Sequence, residues 1–167
     1  MPRYLYLLRH AETQEKQTGQ HDRERELTQT GVREALLIGA YLHREKITFD
    51  SIHSSTAARC VATAGIVADA MKVETGSILL EEALYDASTR TLFGFVTQLD
   101  DDNGTALCIG HNPVMSFLAE SLTKAEIDTI PPGGLVIIKF NVDHWKDIAP
   151  GGGELQNFVY PKMLMGN

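Results

Sequence analysis

The fold is decided by the stretch Tyr4-Leu5-Tyr6-Leu7-Leu8-Arg9-His10-Ala11-Glu12-Thr13. Every residue from Tyr4 to Leu8 is apolar or aromatic, which predicts a short strand that is buried on both faces. That strand ends on Arg9 and His10, so a guanidinium lies beside an imidazole where the chain leaves the core. Ligands usually bind at this edge of an α/β sheet, and the stretch therefore predicts a phosphate site.

The composition is that of an ordinary globular chain of 167 residues, with 43% hydrophobic and 22% charged residues. This length suits one domain with a full core, and we expect a single domain over residues 1–167. The formal net charge of -7 argues against nucleic-acid binding and against an anionic membrane surface. An anionic substrate must therefore be bound by a local group of basic residues.

The two cysteines, Cys60 and Cys108, lie in apolar stretches without the CxxC or CxxH spacing of a metal site. We expect both to be reduced core thiols, which favours a cytoplasmic location. The N-terminus enters the first strand without a signal-peptide pattern, and no apolar run approaches the length of a membrane span. The sequence therefore predicts no membrane partner.

Two amphipathic helices are predicted in the first half of the chain. The polar segment from Gln14 to Glu26 comes first; it predicts a solvated loop, unless Arg23 or Arg25 reaches back to a substrate. The first helix should end near Lys46. The apolar spacing predicts its inward residues as Val32, Ala35, Leu36, Gly39, Ala40 and Leu42, and those of the second helix as Ala57, Cys60, Val61, Ala64, Val67, Ala68 and Met71.

Arg59 lies off the apolar stripe of the second helix, which Ser55 and Thr56 are predicted to cap. A positive charge in the first turn opposes the helix dipole, so dipole stability does not explain this arginine. A nearby anion would offset the repulsion, and a solvated arginine is the alternative.

The remaining elements continue the alternation of strands and helices. Strands are predicted over 49–54, 78–80, 105–109 and 135–140, with a late antiparallel edge over 155–160. One helix is predicted over 89–99. Another begins with Asn112 as N-cap and Pro113 as its first residue, and its inward side chains are predicted as Val114, Phe117, Leu118 and Leu122.

Arg9-His10, Arg59 and His111 each follow the end of a predicted buried strand. If the strands are parallel and joined by right-handed crossovers, these ends share one edge of the sheet. Guanidiniums bind non-bridging phosphate oxygens, and a neutral imidazole can attack phosphorus. The pattern predicts phosphoryl transfer with His10 as nucleophile and His111 holding phosphate oxygens.

Four motifs in this order resemble those of the histidine phosphatase (phosphoglycerate-mutase-like) superfamily, and specifically its SixA-type phosphohistidine phosphatases. Leu8-Arg9-His10-Ala11-Glu12-Thr13 resembles the RHG signature, with Ala11 where many members carry glycine. The other three motifs are Arg25-Glu26-Leu27-Thr28-x-x-Gly31, Ser54-Ser55-x-x-x-Arg59-x-x-x-Thr63-Ala64 and Gly110-His111-Asn112-Pro113.

The resemblance implies a three-layer α/β/α sandwich with a mostly parallel sheet and a late antiparallel edge. It implies a phosphohistidine intermediate on His10, a phosphate pocket of Arg9, Arg59 and His111, and no metal or other cofactor. Thr13 and Arg25, which belong to the matched motifs, are expected to contact the substrate.

The proton donor is the one departure from the family pattern. Larger members of the superfamily carry a glutamate acid in a segment near Glu81 to Asp86. Glu82 is the expected donor here, and Glu81, Asp86 or no donor at all are the alternatives. A phosphohistidine substrate needs less help from an acid, because its leaving imidazole can already be protonated. This asymmetry favours a phosphoramidate substrate.

No insertion long enough for a lid is evident, so we expect an open pocket with the acidic turn Asp100 to Asp102 on its rim. Such a pocket suits phosphohistidine on a signalling phosphotransfer domain. Three alternatives are a small-molecule phosphomonoesterase of the same superfamily, a non-catalytic phosphate-binding module, and a metallohydrolase that uses His10, His21 and His111. The last lacks HxH or HExxH spacing.

Overall fold

A computed structural model describes residues 1–165 and shows a six-stranded sheet with helices on both faces. The strands are β1 (Arg3–Arg9), β2 (Ser51–Ser55), β3 (Ile78–Glu81), β4 (Thr105–Gly110), β5 (Leu135–Phe140) and β6 (Gly153–Val159). The helices are α1 (Gln29–Arg44), α2 (Ala58–Ala70), α3 (Thr89–Thr97), α4 (Val114–Thr123) and α5 (Pro161–Leu164).

The strands lie in the order β3-β2-β4-β1-β5-β6. The first four are parallel, and β5 is antiparallel to both of its neighbours. The predicted α/β class, with a mostly parallel sheet and a late antiparallel edge, is confirmed. Because parallel strands carry their carboxyl ends to the same edge, the residues that follow β1, β2 and β4 meet there.

Strand β1 lies inside the sheet and is buried on both faces, as its apolar sequence predicts. Leu5 and Leu7 pack into the core cluster that includes residues of α3 and α4. Tyr6 and Leu8 alternate with them and pack into the opposite cluster, against α1 and α2. The two clusters make the chain a three-layer sandwich.

The predicted inward faces of three helices were wrong in part. In α1, Val32 and Leu36 are 39% and 48% exposed, and Ala40 is exposed as well. Val61 of α2 and Phe117 of α4 are exposed as well. The buried residues of α1 are Gly31, Ala35, Ile38, Gly39 and Leu42.

Close approach between helices explains this rotation of α1. A Cβ atom on Gly39 would lie 2.5 Å from the Cβ of Ala70, so α1 presents a glycine to α2. The small side chain allows the two helix backbones to approach closely, and the larger apolar residues of the neighbouring stripe turn outward. The apolar spacing of the sequence is compatible with burial of either stripe of α1, the one with Ala35 and Gly39 or the one with Val32 and Leu36. Only the packing against α2 shows which of them is buried.

Two predicted caps were also wrong. The N-cap of α2 is Ala57, which offers no capping side chain. The Ser55 hydroxyl contacts His111 and accepts from the backbone N of Ala57, and the Thr56 hydroxyl donates to Glu82. The N-cap of α4 is Pro113. The Asn112 side chain lies one residue earlier, where its Oδ1 accepts hydrogen bonds from the backbone N and the hydroxyl of Ser116.

Both cysteines are free and buried, as predicted. Within residues 1–165, no helix combines the length and the apolar character that crossing a bilayer requires.

Candidate active site

A pocket of about 380 Å³ lies at the carboxyl end of the parallel strands. The backbone N of His10 donates to the Gly110 carbonyl over 3.1 Å, which joins the ends of β1 and β4. This bond brings the two motif histidines together, with 5.4 Å between the ring centroids of His10 and His111. The predicted residues that line the pocket are Arg9, His10, Thr13, Arg25, Arg59 and His111.

His10 is 9% exposed, and its ring is held by the backbone. Its Nδ1 lies 2.8 Å from the Ala11 carbonyl oxygen, which can only accept, so Nδ1 carries a hydrogen. The lone pair of the neutral ring is therefore on Nε2. Burial, helped by the charges of His111, Arg59 and Arg9, lowers the pKa of His10 to about 3 against the opposing effect of the Ala11 hydrogen bond. The imidazole is consequently neutral at physiological pH.

Arg9 is anchored by the segment between α4 and β5. Its Nη1 donates to the Ile130 carbonyl over 2.8 Å, and the Asn112 side-chain amide donates to the same oxygen over 2.8 Å. Its Nε is buried and has no hydrogen-bond partner among residues 1–165. The guanidinium is thus fixed in direction while part of its donor capacity is unused.

Arg59, for which a solvated position was the alternative, is only 7% exposed and forms part of the pocket wall. Its Nη1 donates to the Asp22 backbone oxygen over 2.9 Å, and its Nη2 donates to the Asp22 carboxylate over 3.0 Å. Nη2 also lies 3.3 Å from Nδ1 of His111. The first turn of α2 therefore carries its arginine inward, to a carboxylate and to the second histidine.

His111 is held between two side chains of the Ser54 to Arg59 segment. Its Nε2 lies 2.9 Å from the hydroxyl of Ser55, and its Nδ1 faces Arg59. Burial and, after it, the charge of Arg59 lower the pKa of His111 to about 4. Both motif histidines are therefore neutral bases in a cationic pocket.

The loop after β1 completes the pocket through Arg25 and Thr13. Arg25 Nη2 donates to the Thr13 hydroxyl over 2.7 Å, and Arg25 Nε donates to the Gln14 carbonyl over 3.1 Å. Arg23, the other candidate from this loop, instead stacks over the Tyr85 ring, with 4.2 Å between Cζ and the ring centroid.

Asp22 and Tyr85 also line the pocket, and the sequence did not predict either residue. The Tyr85 hydroxyl donates to the Asp22 carboxylate over 2.8 Å. Hydrogen bonds from Tyr85 and Arg59 hold the pKa of Asp22 at about 2, against the opposing effect of its partial burial. No periodicity marks a single carboxylate in a polar loop, whereas Ser55 could have been selected because it belongs to a matched motif.

Glu82, the expected proton donor, does not line this pocket. It accepts hydrogen bonds from Arg23 and from Thr56, and these bonds lower the pKa of its carboxyl to about 2. Glu81 lies 3.2 Å from Nδ1 of His53. Of the three candidate carboxylates, Asp86 is the one that lines the pocket. The geometry therefore does not favour Glu82 as an acid.

The expectation that the acidic turn Asp100 to Asp102 lies on the pocket rim was wrong. The turn precedes β4, whereas His111 follows the end of that strand. Asp101 accepts hydrogen bonds from Arg3, at the start of β1, and from the backbone of Trp145. The turn therefore lies at the amino end of β4, whereas the pocket lies at the carboxyl end, and the length of the strand separates the two.

The pocket holds three guanidiniums against two carboxylates, those of Asp22 and Asp86, in a chain whose net charge is -7. The guanidiniums of Arg9, Arg25 and Arg59 surround two neutral imidazoles. Such a site can bind a phosphoryl group through charge-assisted hydrogen bonds and present an unprotonated ring nitrogen to phosphorus. Among the described residues, no three His, Cys, Asp or Glu side chains are grouped so that they could hold a metal ion.

Comparison with known proteins agrees with the fold. Residues 5–91 match the family model of the histidine phosphatase superfamily, branch 1. Two uncharacterized proteins of Mycobacterium tuberculosis are each 30% identical over 154 residues, which cover 84% of this chain and 92% of theirs.

Solved structures of SixA proteins share the whole architecture. A SixA protein from Agrobacterium tumefaciens, provisionally assigned as a phosphohistidine phosphatase, has a TM-score of 0.82 at 25% identity, over 96% of this chain and 99% of its own. The protein histidine phosphatase SixA bound to tungstate has a TM-score of 0.81 over the same shares of the two chains, and at 18% identity it bears on the fold alone. The chain belongs to the histidine phosphatase superfamily, and its structure is of the SixA type.

Proposed function

We propose that the protein is a metal-independent phosphatase that removes the phosphoryl group from phosphohistidine on a phosphotransfer protein. The observation that carries the proposal is His10, whose ring is kept neutral with the lone pair on Nε2, beside the guanidiniums of Arg9 and Arg59. An imidazole in this state is a nucleophile that needs no base to activate it.

The reaction proceeds in two transfers. Nε2 of His10 attacks phosphorus, the bond to the substrate nitrogen breaks, and the leaving imidazole departs with a proton. The phosphoryl group is then on Nε2, where water attacks phosphorus and returns His10 to the free ring. Arg9, Arg59 and His111 hold the non-bridging oxygens through both steps, and Arg25 and Thr13 extend this contact on the loop side.

The site favours a leaving group that requires little acid help. Glu82 is ionised and paired with Arg23, and it lies outside the pocket. An alkoxide needs a proton from a positioned acid, whereas the imidazole of phosphohistidine can leave in protonated form. For a phosphoester substrate, the leaving alkoxide would need a proton from the carboxyl group of Asp86, which lines the pocket.

The connections that follow β3 and β4 beside the pocket are short, which favours a protein substrate. Only residues 82 to 88 separate β3 from α3, and α4 begins three residues after His111, at Val114. Neither connection has room for a lid that encloses a small metabolite. The similarity to the SixA protein from Agrobacterium tumefaciens, which is provisionally assigned as a phosphohistidine phosphatase, supports the same substrate class.

The test is kcat/KM on a histidine-phosphorylated phosphotransfer domain and on a panel of phosphorylated sugars, glycerates and nucleotides, with excess chelator throughout. We expect the protein substrate to be preferred. Rapid quench should trap a phosphorylated protein that is labile in acid and stable in base, and His10→Ala should form none. A small metabolite that is preferred by a hundredfold would identify a phosphomonoesterase, binding without turnover would identify a binding module, and loss of activity in chelator would identify a metal enzyme.

A further inference from the structure

Ser55 contacts the ring nitrogen of His111 that points away from Arg59. Its side chain is fully buried at the end of β2, with the hydroxyl oxygen 2.9 Å from His111 Nε2. The other ring nitrogen, Nδ1, lies 3.3 Å from Nη2 of Arg59. A guanidinium can only donate, so Nδ1 accepts, and the hydrogen of the neutral ring is on Nε2 and is donated to Ser55.

A bound phosphate changes what His111 must provide. The ionised oxygens of a phosphate accept hydrogen bonds, so His111 can hold one only through an N–H group. Since Nε2 is already bonded to Ser55, Nδ1 is the nitrogen left for the ligand. His111 must then carry hydrogens on both nitrogens, which makes it an imidazolium.

An imidazolium in this position needs an acceptor for each N–H group. The phosphate oxygen is the acceptor at Nδ1, and Ser55 is the acceptor at Nε2. The Ser55 hydroxyl oxygen accepts from the backbone N of Ala57 over 3.3 Å and keeps a second lone pair for His111. Without Ser55, the charged N–H would face only the Cys60 thiol, whose sulfur lies 3.6 Å from Nε2 and is a weak acceptor. Burying a charged donor with so weak a partner is costly.

We infer that Ser55 is a positioning residue that allows His111 to become an imidazolium when phosphate binds, an inference that rests on the proposed function. The proton balance is simple. A dihydrogen phosphate ion, H2PO4⁻, transfers one proton to Nδ1 and is left as HPO4²⁻, Arg59 moves its donor from Nδ1 to a phosphate oxygen, and Ser55 keeps Nε2–H bonded throughout.

The chain offers a matched control in Ser54. This neighbouring hydroxyl is equally buried, but it donates to the Ser55 carbonyl oxygen over 2.9 Å and does not contact His111. Ser54→Ala therefore removes the same group from the same strand and leaves the histidine untouched. Ser55→Thr keeps a hydroxyl at the critical position and serves as the rescue variant.

The experiment is nitrogen NMR of the histidine rings with and without saturating inorganic phosphate. In the wild type, His111 should be neutral with hydrogen on Nε2 when phosphate is absent, and doubly protonated when it is bound. Ser55→Ala should bind phosphate at least tenfold more weakly and leave His111 neutral, whereas Ser54→Ala and Ser55→Thr should behave as the wild type. Melting temperatures and circular dichroism of all variants identify losses of folding.

Two results overturn the inference alone: a wild-type His111 that stays neutral with phosphate bound, and a Ser55→Ala variant whose ring signals match those of the wild type. If Ser55→Ala does not fold, the wild-type spectra and the Ser55→Thr variant still test the inference. A wild type whose histidine signals do not respond to phosphate overturns the inference and the proposed function together. If the His111 signals respond to phosphate as expected but the protein hydrolyses none of the phosphorylated substrates, only the proposed phosphatase activity is overturned.

Discussion

At the scale of single residues, the pocket is built from side chains whose hydrogen bonds fix their charge and direction. His10 is held as a neutral ring by burial and by the Ala11 carbonyl, and Arg9 is fixed by the Ile130 carbonyl. Arg59 is the most constrained cation, because Asp22 binds it through both a backbone and a carboxylate oxygen. A planar fork of donors can serve two acceptors in fixed directions, which an ammonium cannot do as well.

Arg59→Lys should therefore lower kcat/KM strongly although it keeps the positive charge. We expect a loss of roughly 30- to 1000-fold, equivalent to about 2 to 4 kcal/mol of transition-state stabilisation. Arg23→Lys is the control, since the exposed Arg23 guanidinium is paired with Glu82 at the outer rim, and it should stay within about threefold of the wild type. The measurement is steady-state kcat/KM of both variants with one phosphorylated substrate. If both variants lose kcat/KM equally, Arg59 does not contact the substrate in the way proposed.

At the scale of elements, the loop after β1 and the start of α1 are locked together by Gly31. The Thr28 hydroxyl caps α1 by accepting from the backbone N of Gly31, and the backbone N of Thr28 donates to the Glu12 carbonyl. A Cβ on Gly31 would lie 2.2 Å from that same oxygen of Glu12. The glycine of this motif is thus required because the helix start touches the backbone just beyond His10.

Gly31→Ala should lower the free energy of unfolding by about 1 to 3 kcal/mol, since the new methyl group overpacks a rigid backbone contact. Gly65→Ala is the matched control. Gly65 lies within α2 with no atom within 4 Å of an added Cβ, so that substitution should stabilise the protein by about 0.5 to 1 kcal/mol. Urea unfolding of the two variants gives both numbers. A neutral Gly31→Ala would show that the contact relaxes at little cost.

At the scale of the whole molecule, the two buried histidines link the stability of the fold to pH. The folded pKa is about 3 for His10 and about 4 for His111, compared with 6.5 for an unperturbed histidine. Between pH 6.5 and about 4, the unfolded chain therefore binds protons that the folded chain does not. The full stability is present above pH 6.5 and is lost as the pH falls through this window.

We expect the free energy of unfolding to decrease by about 2 kcal/mol per buried histidine between pH 7 and pH 5. His10→Gln removes one of the two titrating groups with a side chain of similar size, and it should remove about half of the decrease. Urea titrations of the wild type and the variant at both pH values provide the comparison. If the two proteins lose the same stability, His10 does not titrate as its burial indicates.

The sequence by itself determined the succession of strands and helices along the chain, the burial of β1 on both faces and the residues that meet at its end. These features depend on local information, because an apolar run predicts a buried strand and the motif residues are fixed to strand ends by their neighbours in the chain. Arg9, His10, Arg59 and His111 could therefore be placed in one pocket before the structure was known.

Only the tertiary structure decided which face of each helix is buried and which carboxylates lie at the pocket. Val32 and Leu36 follow the same helical period as the true core, and the contact of Gly39 with Ala70 turns them outward. Asp22 reaches Arg59 across 37 positions of sequence, and Glu82 is drawn to Arg23 instead of the pocket. Such pairings depend on how the loops pack against the sheet, and a pattern of neighbouring residues carries no record of that packing.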